Sequence, residues 1–476
     1  MIRKFVACLA VCLLTLSAAF ASFTASGIPD SADLRADIVS TWLTAPMPDV
    51  RVRKPEILSD GTDQSFQVRL EETDTEAAIV VAPNAVASVE YIKDNVRFKD
   101  KQTVYPRTAP GSWVLFRNKK NGKPERVRWY FNADEDVYVE FRDGSPKTYV
   151  DMMVFGSYAA RSIPVGISFR KLYTAPFDRI VSLTKRSLPW DKVVCGDVQY
   201  HPILQMVSIL RKCLPYINYV DDACYNENEE LYSITNNKPF ELKPADGENY
   251  SMEELSIIAA IHNNKLVLSG AGFVKWIVDG ITKPLSGENT KLADMVLPTV
   301  NYNSLGKKGV SSQQWNISFS LDWCRNLAVA ALNAQTTKRT YSYRMSAKDV
   351  TGVDVVIEPF VSDIRRGKVV RSAGYVKDSG YSVSELKALL YVLAVTEPRY
   401  MYLGAIKQRS AKNADETVFN NCAALFPYFD ESGRFNCVVF EHGKEYTIDA
   451  FLEIHPEAFV HLNRVEATDF FSPLIK

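Results

Sequence analysis

Leu268-Ser269-Gly270-Ala271-Gly272-Phe273-Val274-Lys275-Trp276 reads as a flexible turn that runs into a helix. Two glycines within three residues give it a backbone freedom that side-chain-bearing residues lack. The helix it opens carries Phe273, Val274, Trp276, Ile277 and Val278. The elements on either side of this turn decide the fold class.

Upstream, Ile203 to Leu210 is a strongly apolar helix. Ser251 and Glu254 form a capping box ahead of a helix through Ile261. Downstream, a helix starts near Leu321 and runs through Ala331. Ser382 and Glu385 make a second capping box for the helix Leu386 to Ala394. Strands follow at Tyr400 to Ile406, Val418 to Phe429, Arg434 to Phe440 and Phe459 to Val465, with Asp430-Glu431-Ser432-Gly433 as a turn. Helices followed by an antiparallel sheet make an α+β pattern.

The first part of the chain is different. Ser31 is placed to cap a short helix with Asp33 in its first turn and Leu34, Ile38 and Trp42 on one face, stopped by Pro46 and Pro48. Phe66, Val68 and Leu70 then alternate with polar residues. Trp113 to Phe116 and Val127 to Phe131 flank Asn121-Gly122. Val137 to Phe141 and Thr148 to Phe155 flank Asp143-Gly144. Both dipeptides are hairpin signals. A helix from Thr174 and Pro176 to about Leu188 ends at Pro189-Trp190. The expected organisation is a signal peptide over 1–21, an antiparallel β-rich domain over 22–190 and an α+β domain over 191–476.

The signal peptide is read from Arg3 and Lys4, the apolar run Phe5 to Leu14 and the small-x-small site Ala19-Phe20-Ala21. No other stretch is long and apolar enough to span a bilayer. The expectation is an exported bacterial protein, periplasmic or extracellular. Losing Arg3 and Lys4 takes the basic count from 56 to 54 against 56 acids, a net of −2. A near-neutral chain has no electrostatic footprint for nucleic acid. Cys195, Cys213, Cys224, Cys324, Cys422 and Cys437 remain after cleavage. Cys213 and Cys224 are the best local pair for a disulfide, and burial as reduced thiols is the competing expectation.

The stretch around Gly270 resembles the nucleophile turn of NlpC-type papain-like cell-wall peptidases, in which Asp-Cys-Ser-Gly-Phe-Val places a Cys at the start of a buried helix. Matching Gly272-Phe273-Val274 to Gly-Phe-Val puts Gly270 where that Cys stands. The family's His-Val-Ala-Ile-Tyr strand is similar to Asn421-Cys422-Ala423-Ala424-Leu425-Phe426, with Asn421 at the His. The orienting residue falls on Asn436 in Phe435-Asn436-Cys437. Glycine cannot attack and an amide is no base at neutral pH. The resemblance spans about residues 250 to 470. It implies a papain-like domain whose cleft binds peptidoglycan peptide or an envelope protein without cleaving it.

Two other readings stand beside it. Cys324, in Asp322-Trp323-Cys324-Arg325-Asn326, is an alternative nucleophile at a helix start, with His442, His455 or His461 as base. This would make the chain a cysteine hydrolase, or amidase, of the cell wall. The third reading is a structural or assembly protein of the envelope. Ser269 lacks a Gly-x-Ser-x-Gly elbow. The five histidines show no metal-ligand spacing, and the acidic stretch Asp221-Asp222 with Asn226 to Glu230 lacks the alternation of a calcium loop. No cofactor motif is present.

Overall fold

Asn121-Gly122 does connect two strands. Gly122 takes φ +67°, a left-handed conformation. Asn118 Oδ1 accepts from the amides of Lys120 and Asn121. This and the other elements come from a computed structural model that describes residues 32–59, 65–93, 96–172, 175, 177–196, 198, 200–242, 249–263, 265–299, 318–336, 350–365, 368–371, 374–377, 379–410 and 417–476. The signal segment, Ser31, Thr174 and Pro176 lie outside these. The chain divides into two compact units. The first holds residues up to 197 with 360–372 and 431–434, and the second holds the remainder.

The first unit opens with α1 (Ala32–Ile38), which continues as a π-helical turn that buries Trp42 and Leu43. Strands β1 (Glu56–Ser59), β2 (Ser65–Glu72), β3 (Ala77–Pro83), β4 (Ala85–Lys93), β5 (Val96–Val104), β6 (Trp113–Arg117), β7 (Pro124–Tyr130), β8 (Val137–Asp143), β9 (Thr148–Val154) and β10 (Ser157–Val165) follow. Eight of them form one antiparallel sheet in the order β1-β2-β3-β6-β7-β8-β9-β10, and β4 and β5 pair as a separate ribbon. Alternation puts Val137, Val139 and Phe141 of β8 inward. β3 is buried along its whole length. The aromatics are mostly core: Trp129 packs against Phe131 and Trp190, with centroids 5.4 and 5.7 Å away. Of the helix expected up to Leu188, α2 spans Phe177–Thr184. Thr184 Oγ1 then accepts from Trp190 Nε1 at 3.0 Å, so Trp190 is fixed where a further single turn begins.

In the second unit, α3 (His201–Cys213) is followed by β11 (Ile217–Tyr219), β12 (Ala223–Tyr225), β13 (Leu231–Ser233) and β14 (Lys238–Pro239). Helix α4 (Met252–His262) has the expected capping box: Ser251 Oγ accepts from Glu254 N and Glu254 Oε2 from Ser251 N. Next come β15 (Leu266–Leu268), α5 (Gly270–Ser286) and α6 (Phe319–Gln335). Strands β16 (Asp363–Arg365) and β17 (Lys368–Arg371) are a hairpin of the first unit. The second unit closes with β18 (Tyr381–Ser382), α7 (Val383–Thr396), β19 (Tyr400–Arg409), β20 (Thr417–Phe429), β21 (Phe435–Glu441), β22 (Lys444–Thr447), α8 (Ile448–Ile454) and β23 (Phe459–Glu466).

The second capping box is corrected. Ser382 caps Ser384 N, while the buried Glu385 turns away to accept from Gly374 N. The late strands form a six-stranded antiparallel sheet, β18-β23-β19-β20-β21-β22. Helices α5 and α6 pack on each other and on β20, and α6 also crosses β19 and β23. This is the α+β order of elements expected from the sequence.

Helix α5 is buried over most of its length and contains Pro284. Proline has no N–H to give the carbonyl four residues back, that of Gly280. Ser472 N, from the end of the chain, donates to it instead at 2.9 Å. A Cβ on Gly280 would lie 2.7 Å from Phe471 and 3.0 Å from Pro473, so only glycine lets the terminal segment settle there. Trp276 Nε1 donates to Leu474 O at 2.9 Å.

Candidate functional site

Ser269 to Gly272 form a strand-to-helix corner. The three residues of β15 are all buried and pair in parallel with β11. Ser269 is the N-cap of α5: its Oγ accepts from Gly272 N at 3.0 Å and donates to Ala223 O at 2.9 Å. Both hydroxyl functions are therefore used in shaping the corner, and Ser269 is no nucleophile. Gly272 is needed because a Cβ there would stand 2.1 Å from Ala223 O.

Gly270 is the first residue of α5. A hairpin turn brings His442 to it. His442 and Gly443 take φ +51° and +70°, as a two-residue turn between β21 and β22 requires. A Cβ built on Gly270 would lie 2.4 Å from His442 Cδ2 and 2.9 Å from Nε2. The space that a side chain on Gly270 would occupy is filled by imidazole. The ring also packs on Tyr219 at 5.3 Å, whose hydroxyl donates to Asp221 Oδ1 at 2.8 Å. Burial, reinforced by Asp221, pushes the Tyr219 phenol up from its usual value, so it stays a neutral donor.

These groups and Asn421 line one cavity of about 270 Å3. The structure thus brings Gly270 and Asn421 together. It does not bring Asn436, which pairs with Tyr428, seven residues along β20 from Asn421, roughly 23 Å at ~3.3 Å per residue. Asn436 Nδ2 donates to Asp430 Oδ2 at 3.0 Å instead. The orienting role expected of Asn436 is therefore corrected. His442, expected from the sequence only as one of three candidate bases for Cys324, is instead the imidazole beside Gly270. The signal for it was His442-Gly443 after an apolar run, a dipeptide that favours a positive-φ turn.

Cys324 is fully buried within α6 and lines no part of this cavity. Burial pushes its thiol well above the usual range, and its hydrogen bond with Cys422 adds to this. That is the wrong direction for a nucleophile at neutral pH. Of the histidines expected as its base, His455 is held by Glu441 and Gln408 at 2.9 and 3.2 Å, and His461 lies against Arg325 and Asp354 at 3.3 and 3.5 Å. Cys422 is the thiol in the cavity wall, 1% exposed. The six described cysteines are all free thiols, Cys213 and Cys224 included. Burial pushes Cys224 up to about 12.

Asp222 accepts from Ser233 Oγ and from Thr235 N and Oγ1, so its carboxylate is spent on the end of β13 and the turn that leads to β14. Among the described residues no group of His, Cys, Asp and Glu is placed to hold a metal ion. No described helix is long and apolar enough to cross a membrane. The cavity offers a helix N-terminus, an imidazole, a phenol, side-chain amides, the Thr235 hydroxyl and the already engaged carboxylates of Asp221 and Asp222. These can hold a polar group by hydrogen bonds. The thiol in this lining, Cys422, is buried.

A family model described as a domain of unknown function (DUF8515) matches residues 24–192, the region of the antiparallel β sheet. No curated protein and no solved structure matches the chain.

Proposed function

We propose that the chain is an exported cell-envelope protein whose second unit keeps a papain-like cleft as a binding site and does not cleave what it binds. The observation that carries this reading is the His442 ring over the bare Cα of Gly270. A peptidase needs a thiol there, and neither Gly270 nor the buried Cys324 supplies one. The ligand class suggested by the resemblance is a peptidoglycan stem peptide, whose carboxylates and amides suit a helix N-terminus beside imidazole and phenol. A protein partner in the envelope would use the same groups.

The test is retention of the full chain on purified peptidoglycan, together with incubation on muropeptides. The expected result is retention that a Tyr219→Ala, Asn421→Ala variant loses, with no cleavage by any form. No retention of the wild type would remove the wall-binding version. Cleavage abolished by Cys422→Ser or Cys324→Ala would show that a thiol of this unit is catalytic after all.

A further inference from the structure

A larger cavity, of about 540 Å3, opens at the ends of neighbouring strands β23, β19 and β20 of the six-stranded sheet. Its wall is built from the end of β19 (Lys407, Gln408, Arg409), the first residue of β20 (Thr417), the end of α8 with the loop after it (His455, Glu457), and Ser379. The volume lies within the range of small-molecule sites. None of these residues belongs to the Gly270 cavity.

The wall is firmly made. His455 is 7% exposed, and its two ring nitrogens meet the buried Glu441 carboxylate and Gln408 Oε1. Lys407 and Arg409, two apart on one strand, share a face. Lys407 Nζ donates to Ser379 Oγ at 2.8 Å and lies 5.5 Å from the Phe419 ring. Arg409 pairs with Glu457 at 3.2 Å at the rim, where both side chains are mostly exposed. An ammonium carries three donors, a guanidinium five, and neither accepts. Three side-chain acceptors of the wall are engaged within it: Glu457 by Arg409, Ser379 Oγ by Lys407, and Gln408 Oε1 against His455. The wall is rich in donors and cations, and what complements it is an acceptor-rich anion.

We propose that this cavity binds a small oxyanion-bearing ligand, through carboxylate or phosphate, with Lys407 and Arg409 as its charged contacts. Glu457 competes for Arg409 and must be displaced for full engagement. The proposal is independent of what the Gly270 cavity binds.

Isothermal titration of the full chain at low ionic strength, with inorganic phosphate and separately with citrate, tests it. At least one should bind. Lys407→Met should weaken binding by about tenfold, as expected for a charge-assisted contact. Glu457→Gln should strengthen it by roughly two- to fivefold, because an exposed ion pair is weak and its removal frees the guanidinium. A gain of binding cannot come from misfolding. Binding of phosphate alone or citrate alone identifies the group recognised. No binding of either at ~10 mM, an affinity of about −2.7 kcal/mol, would overturn the proposal. So would binding indifferent to both Lys407→Met and Glu457→Gln.

Discussion

Gly270 and His442 meet with no room for a side chain between them: a Cβ on Gly270 would stand 2.4 Å from His442 Cδ2. Gly270→Ala should therefore carry two opposed effects. The methyl group displaces the ring, at ~1–3 kcal/mol for overpacking. Replacing glycine at the first position of a helix contributes the other way, by less than the ~1 kcal/mol of a helix interior. Urea unfolding should show net destabilisation in the parent chain. In a His442→Ala background the same substitution should become neutral or stabilising, and equal losses in both backgrounds would mean the two residues are not in contact.

Gly270→Cys would place a thiol at the N-terminus of α5 beside an imidazole, two features that lower a thiol pKa. The ring must first shift aside. The introduced thiol should react with iodoacetamide at pH 7 faster than any native cysteine, and His442→Ala should slow it. Cys324, whose thiol burial pushes up, should react only after unfolding. Mass spectrometry of the alkylated protein distinguishes the sites.

Lys275 and Asp279 form an ion pair one helical turn apart inside α5, at 2.6 Å with the Lys275 side chain 1% exposed. Asp279 Oδ1 also accepts from Thr290 N and Oγ1. Asp279→Ala leaves a buried ammonium and two donors without their carboxylate, and should cost ~3–5 kcal/mol in chemical denaturation. Replacing both residues, Lys275→Met with Asp279→Leu, should recover part of that loss.

Asp354 gives the second unit a pH dependence. Burial alone would raise its carboxyl, but the hydrogen bond and charge of His461 and the charge of Arg325 outweigh it, so the group lies below its ordinary value of 3.8. A depressed carboxyl contributes stability that is present above the ordinary value and lost as pH falls through the lower folded one. Acid titration should therefore show a stability loss beginning below about pH 4. In Asp354→Asn that step should be missing, and stability at neutral pH should be lower.

Much of the fold could be read from short-range chemistry. Ser251 with Glu254, and Asn121 with Gly122, act on residues a few positions away, so the sequence signal and its structural outcome are nearly the same event. Glu385 has the spacing of a capping residue, but burial let Gly374 N claim its carboxylate. The site was legible only in part. Gly270 and Asn421 announced themselves by what they lack, whereas His442 sits on the turn of a local hairpin that packs against a helix start far away in sequence. Asn436 was read from motif order, which carries no information about how far along a strand a residue sits.

Pro284 has a consequence for how the parts of the second unit depend on one another. The hydrogen bond that a proline withholds from α5 comes from Ser472, far away in sequence. Helix α5, which begins at the Gly270 corner, therefore shares one of its own rungs with a segment outside it. The Gly280 carbonyl and the Ser472 amide gain or lose their partner together, so local opening of one strips the other of its protection.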